Sequence, residues 1–181
     1  NASGKANLWD WSERRLLKSL EVPFEWFGFL RFSRSGKCLL AGAAHNDQTV
    51  SVRIWRTNDW AEVPLASPQP ARVWSADLSP DDRLLATGYA NGAVKLSEFP
   101  SGEHETTITN HTGALLAVLF SPDGRVLTSA SWDGNVGLWD VFERRELATL
   151  RGHLGSVWGA AFSPDGRRLA TGDSGAEDAV K

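Results

Sequence analysis

Phe120-Ser121-Pro122-Asp123-Gly124 and Phe162-Ser163-Pro164-Asp165-Gly166 are the same five residues, 42 positions apart. Leu78-Ser79-Pro80-Asp81-Asp82 stands another 42 positions upstream, and Phe32-Ser33-Arg34-Ser35-Gly36 a further 46 before that. A fixed period of about 40–45 residues marks stacked copies of one supersecondary unit. The longer first interval places extra residues in Ala43 to Ser51, where that copy carries a longer loop.

Each copy reads as four short strands. In the third, apolar Leu115 to Phe120 ends at Ser-Pro-Asp-Gly, a turn in which proline fixes φ and glycine accepts a positive φ. Arg125 to Ala130 is a second strand, Trp132-Asp133-Gly134-Asn135 the next turn, Val136 to Trp139 a third strand and Glu146 to Leu150 a fourth. Strands this short, separated by regular turn signals, define an all-β chain, and no segment holds a 3.6-residue apolar period. At Asp82 the turn glycine is replaced by one of the few residues that enter the left-handed region cheaply. The copies divide 1–181 into approximately 1–20 (partial), 21–65, 66–108, 109–150 and 151–181 (partial). The chain starts within a third strand, Asn7 to Asp10, and stops near Ala179 to Lys181, at the start of another third strand. Three complete units and two halves give about four equivalents.

Composition narrows the function. Net charge is −3 with both signs interspersed, so no basic stripe is available for nucleic acid or an anionic membrane. No apolar run approaches the roughly 20 residues of a membrane helix. Cys38 is the single cysteine, which excludes an internal disulfide and a thiolate zinc cluster and suits a reducing, cytoplasmic compartment. His45, His104, His111 and His153 lack metal-ligand spacing, so neither metal nor cofactor is expected. Arg14-Arg15, Arg144-Arg145 and Arg167-Arg168 read as solvated rims on turns. Nine Trp against one Tyr shows that indoles are wanted at particular positions, and a chain without Met that opens on Asn1 reads as a piece of something longer.

Leu138-Trp139-Asp140, Ile54-Trp55-Arg56 and Leu8-Trp9-Asp10 look like the Trp-Asp dipeptide that closes the third strand of a WD repeat, and Gly152-His153 and Asn110-His111 like its Gly-His element. The whole chain thus resembles WD-repeat β-propellers, with the Phe-Ser-Pro-Asp-Gly-Arg form closest to bacterial members. The resemblance implies an all-β propeller of four-stranded antiparallel blades. It also implies that His111, Ser129, Asp133 and Trp139 form a structural tetrad, in which Asp133 holds His111, His111 meets the Ser129 hydroxyl, and Ser129 accepts the Trp139 indole N–H. Ser, His and Asp so close together invite comparison with a hydrolase triad, but no nucleophile elbow or oxyanion-hole turn accompanies them. No catalytic residue is expected. Other copies depart from the pattern: the second has Gln69, Thr87, Asn91 and Ser97, the first has Pro23 for the histidine, and the fourth has His153 and Thr171 with the acid undefined within Asp173 to Asp178.

Members of this family bind partners mostly on the narrow top face, at positions three and five residues after the histidine and just before the tetrad acid. Carried over, these are Trp26 and Gly28; Arg72, Trp74 and Ala90; Ala114, Leu116 and Trp132; and Ser156 and Trp158. Trp26, Arg72, Trp74, Leu116, Trp132, Ser156 and Trp158 form the candidate surface, since Trp and Arg dominate binding hot spots. The competing reading is that the indoles fill space between blades. The expected function is a non-catalytic protein- or peptide-binding scaffold or sensor in a larger signalling protein. Two alternatives stand beside it: a purely structural fragment, excised or self-complementing, and a propeller enzyme. Four blade equivalents fall short of the usual ring, so either the parent chain holds more blades or two copies complete an eight-bladed homodimer.

Overall fold

Each β-prone run lies between residues that end a strand, and the result is a series of antiparallel hairpins. The computed structural model describes residues 4–22, 28–42, 52–65, 73–109 and 111–175. Strand β1 (Gly4–Asp10) pairs with β2 (Arg15–Val22). β3 (Phe29–Phe32), β4 (Cys38–Gly42) and β5 (Val52–Arg56) form a three-stranded sheet. Two full blades follow. The first holds β6 (Val73–Leu78), β7 (Leu84–Tyr89), β8 (Ala93–Glu98) and β9 (Thr106–Thr109), and the second β10 (Leu115–Phe120), β11 (Val126–Ser131), β12 (Val136–Asp140) and β13 (Arg145–Leu150). β14 (Val157–Phe162) and β15 (Leu169–Asp173) make the last pair. Every pairing is between sequence neighbours, which is the meander of a propeller blade.

The copy at 21–65 differs from the four-stranded unit expected there. Among the described residues its fourth place holds a single bridge between Trp55 and Glu62. Around it Val63 N–H donates to Ile54 O at 2.7 Å and Arg56 N–H to Ala61 O at 3.0 Å.

The apolar core is divided among the spaces between successive sheets. Ala6, Leu8, Leu20 and Val22 of β1–β2 pack on Leu39, Ala41 and Trp55 of the next sheet. Leu40, Val52 and Ile54 meet Val73, Ala76, Leu78 and Leu85. Ala86, Val94, Leu96 and Ile108 meet Leu115, Val118, Phe120, Leu127 and Trp139. Ala117, Ala130, Val136 and Val157 close the last gap. Central strands β7 and β11 are therefore covered on both faces, whereas outer β13 is almost wholly exposed.

Polar contacts tie the inner strands together. Asp77 on β6 accepts the Phe120 amide of β10 at 2.9 Å and lies 3.8 Å from the Arg31 guanidinium of β3. Burial pushes its carboxyl above the ordinary range, an effect that Arg31 and the amide only partly offset. The repeated turn is built identically in three copies: Ser79, Ser121 and Ser163 donate to Asp81, Asp123 and Asp165 at 2.6 Å in each. Gly124 takes φ +73° there, and Asp82 takes +57° in the equivalent place, as its residue type permits.

Candidate functional site

The third repeat brings four polar side chains into one buried chain of hydrogen bonds. His111 Nδ1 lies 3.1 Å from Asp133 Oδ2, and its Nε2 lies 2.8 Å from Ser129 Oγ. The Trp139 indole donates to the same hydroxyl at 2.9 Å. All directions agree when His111 carries its proton on Nδ1: Trp139 N–H donates to Ser129, Ser129 O–H to His111, and His111 N–H to Asp133. Asp133 also accepts the amides of Thr112 and Asn135, both at 2.9 Å, which pins the loop before β10 to the turn after β11. Ser129 is 0% exposed, so no substrate can reach its hydroxyl. The arrangement fastens strands to one another.

The other copies keep parts of this device by different means. In the last pair, His153 Nε2 contacts Thr171 Oγ1 at 2.7 Å and its Nδ1 contacts Asp173 Oδ2 at 3.0 Å. Asp173 faces Val157 in the ladder, as Ser131 faces Leu115, so this acid comes from two residues earlier than Asp133 does. Sequence alignment alone left that residue undefined. In the second repeat the aromatic that meets the β7 hydroxyl is Tyr89, whose phenol lies 3.2 Å from Thr87 Oγ1. Tyr89 is fully buried, while Ser97 occupies the ladder position of Trp139. Gln69 lies outside the described residues.

A pH dependence follows from the tetrad. Burial raises the Asp133 pKa, but the amides of Asn135 and Thr112 and the contact with His111 outweigh it, so the net shift is downward. A carboxyl with a depressed folded pKa stabilises the protein above its unfolded value of about 3.9, and that contribution is lost as pH falls through the folded value. Melting temperature should therefore drop steeply below about pH 4, and Asp133→Asn should flatten this part of the profile. An unchanged slope in the variant would place the acid sensitivity elsewhere.

On the face beside these loops, the ladders of three successive inner strands slip at one residue each: Trp74 in β6, Leu116 in β10 and Trp158 in β14. A bulge leaves its extra residue out of the ladder and re-aims the side chain. Trp132, from the turn between β11 and β12, reaches both indoles. Its ring centroid is 5.6 Å from that of Trp74, edge to face, and 6.4 Å from that of Trp158. Backbone bonds fix it: the Trp132 amide donates to Ala114 O at 2.9 Å, and Ser156 Oγ donates to Trp132 O at 3.3 Å. Trp132 is 46% and Trp158 55% exposed. Trp74 is half-buried, and its indole N–H has no acceptor among the described residues.

Of the residues singled out from sequence, Trp74, Trp132 and Trp158 are thus gathered in one row. Leu116 is half-buried at the equivalent bulge, and Ser156 turns its hydroxyl to a carbonyl rather than outward. Trp26 and Arg72 lie outside the described residues. Leu154, highly exposed just after His153, was missed because nothing in its residue type separates it from core leucines. Trp60, unexplained by the repeat, packs against the core shared by β1–β2 and β4–β5. Glu98, Glu103 and His104 bring potential ligand atoms within 4.8 Å of one another, a proximity that their spacing did not announce. Their side chains face water, and His104 already contacts Glu98 at 2.9 Å. Among the described residues no helix is long and apolar enough to cross a membrane.

Stacked four-stranded meanders with cores between the sheets define a β-propeller repeat protein. The family model for the WD domain, G-beta repeat, matches residues 64–96, 102–140 and 144–178, and the chain belongs to that family. The three-stranded sheet β3–β5 lies outside those segments. A chain in the crystal structure of a mitotic checkpoint complex is similar, with a TM-score of 0.78 and 21% identity. The likeness covers 94% of the present chain and 52% of that chain, so this protein spans about half its length. At this identity the likeness concerns the fold. No curated protein matches the sequence.

Proposed function

We propose that this chain is a non-catalytic interaction module that captures a protein or peptide on the face carrying Trp74, Trp132 and Trp158. One observation carries the reading: bulges in successive inner strands put Trp74 and Trp158 at equivalent places, and Trp132 bridges them in the open. Exposed Trp rings held by backbone bonds give large contact area at little entropic cost. The lone Cys38, buried in β4, fits a cytoplasmic signalling protein as the setting. Replacing both Trp132 and Trp158 with alanine should abolish capture of a partner from extracts of the source organism. The melting temperature should shift by only about 2–4 °C, the equivalent of roughly 1 kcal/mol. Retained capture, or a collapse of stability, would overturn the reading.

A second reading concerns closure of the ring. A groove of about 560 Å³ lies between β1–β2 and β3, lined by Leu8, Trp9, Leu17, Leu30, Phe32 and Trp60. Its position is that of the two inner strands of a blade, and β1 has only β2 as a described neighbour. We assign the groove to such an inner hairpin, supplied by further blades of a parent chain or by β14–β15 of a second copy. Sedimentation equilibrium of this chain distinguishes the sources, because a dimer is required by the second and a monomer rules it out.

A further inference from the structure

Two half-blades of this chain are unfinished in opposite ways. β14–β15 repeats the inner strands of the intact blade β10–β13: Thr171 faces Ala160 as Ser129 faces Val118, and Leu169 faces Phe162 as Leu127 faces Phe120. β1–β2 repeats its outer strands, with the same ladder slip before Trp9 as before Trp139. Among the described residues β15 pairs only with β14 and β1 only with β2, so each has an open edge that can accept another strand.

What one edge lacks, the other carries. His153 meets Thr171 and Asp173 as His111 meets Ser129 and Asp133, but among the described residues no indole donates to Thr171. Trp9 holds the place of Trp139 with its ring in the open, 59% exposed against 3% for Trp139 and 4% for Trp55. In the register of β11 on β12, Ser129 faces Gly137 and Leu127 faces Trp139. The same register sets Thr171 opposite Asn7 and Leu169 opposite Trp9, which brings the Trp9 N–H to the Thr171 hydroxyl as Trp139 N–H comes to Ser129. It also sets Arg168 opposite Asp10 and Asp173 opposite Lys5, opposite charges at both ends of the ladder. The match is particular to these two edges. In β3–β5 Trp55 has the indole place but Ala41 the hydroxyl place, and in β6–β9 Thr87 has the hydroxyl place but Ser97 the indole place. Within one chain three sheets stand between β1–β2 and β14–β15, so the pairing joins two copies.

We propose that β1 of one copy pairs with β15 of a second, and that Trp9 of the first completes the His153–Thr171–Asp173 chain of the other. Two such seams close a two-fold homodimer and cover all four edges. This rests on assigning the groove beside β1 to an inner hairpin, and it names that hairpin as β14–β15 of another copy. Sedimentation equilibrium measures the association, and a cross-link locates it. Chains carrying Ala6→Cys are mixed with chains carrying Gly172→Cys and oxidised, and circular dichroism verifies the strands of each. Positions 6 and 172 are directly opposite in this register, a spacing that a disulfide spans, and Gly172 has open space where a Cβ would stand. The mixture should give a disulfide joining 6 to 172 between chains, identified by mass spectrometry, and neither variant alone should give it. Arg168→Glu, at an exposed side chain, should weaken the dimer about tenfold, because it sets like charges opposite each other in both seams. Trp9→Phe and Thr171→Val each remove one side of the same bond, so the double variant should dissociate no more readily than the weaker single variant. Additive effects would overturn the completed chain. A monomer without the 6–172 link would overturn the proposal and leave the groove to blades of a parent chain. A dimer that links elsewhere and leaves the Trp9 ring accessible would overturn it and also remove a second copy as the occupant of the groove.

Discussion

Replacing Trp139 with alanine is expected to destabilise the chain by about 3–5 kcal/mol, the range for deleting a buried large aromatic. Trp139 is 3% exposed and packs in the core between the β6–β9 and β10–β13 sheets, against residues such as Leu96, Val118 and Leu127. That core joins two blades, so the void would loosen the seam as well as the sheet. The indole also supplies the N–H that donates to Ser129 at 2.9 Å. Trp139→Phe divides these contributions, since it keeps most of the ring and loses the hydrogen bond. It should cost about 1–2 kcal/mol, the loss of one buried bond with a small change in volume. Urea unfolding followed by circular dichroism measures both. A cost under about 1 kcal/mol for the alanine variant would show that Trp139 does not anchor the seam.

Ser129→Ala tests the meaning of the Ser-His-Asp grouping directly. Removing the hydroxyl leaves two buried donors or acceptors without partners, His111 Nε2 and the Trp139 indole N–H. Each such group costs about 1–3 kcal/mol, and roughly 2–6 kcal/mol in total is expected. A hydrolytic serine would behave in the opposite way, because its removal would spare stability and eliminate ester cleavage. The scaffold reading therefore requires a large fall in the unfolding midpoint and no change in turnover of a generic ester. The double variant with Trp139→Phe should cost clearly less than the two single effects added, because the second change removes a partner already lost.

Much of the architecture was legible because it repeats. A five-residue turn recurs at intervals of 46, 42 and 42 residues between β-prone runs, and each copy supports the reading of the others. The tetrad residues His111, Ser129, Asp133 and Trp139 were named through the resemblance to WD repeats, and the hydrogen bonds among them join the four side chains. The acid of the last repeat was not so named. Asp173 reaches His153 from a ladder position two residues earlier than expected, and only the path of β15 places it there.

The indoles show the same division. Their number and their places in the repeat pointed to a surface, yet the same spacing suits residues wedged between blades. Trp74 and Trp158 stand at equivalent one-residue slips, yet the first is half-buried and the second exposed, so it is the packing of the neighbouring sheets that decides.

The sequence by itself determined the repeat and its short strands, because turn chemistry and alternation act over a few neighbouring residues; the residues of the hydrogen-bonded chain came from the resemblance to WD repeats. The tertiary structure alone decided which tryptophans stand in the open and which seal a seam. Trp132 and Trp139 are seven residues apart, and only the stacking of one sheet on the next exposes the first and buries the second.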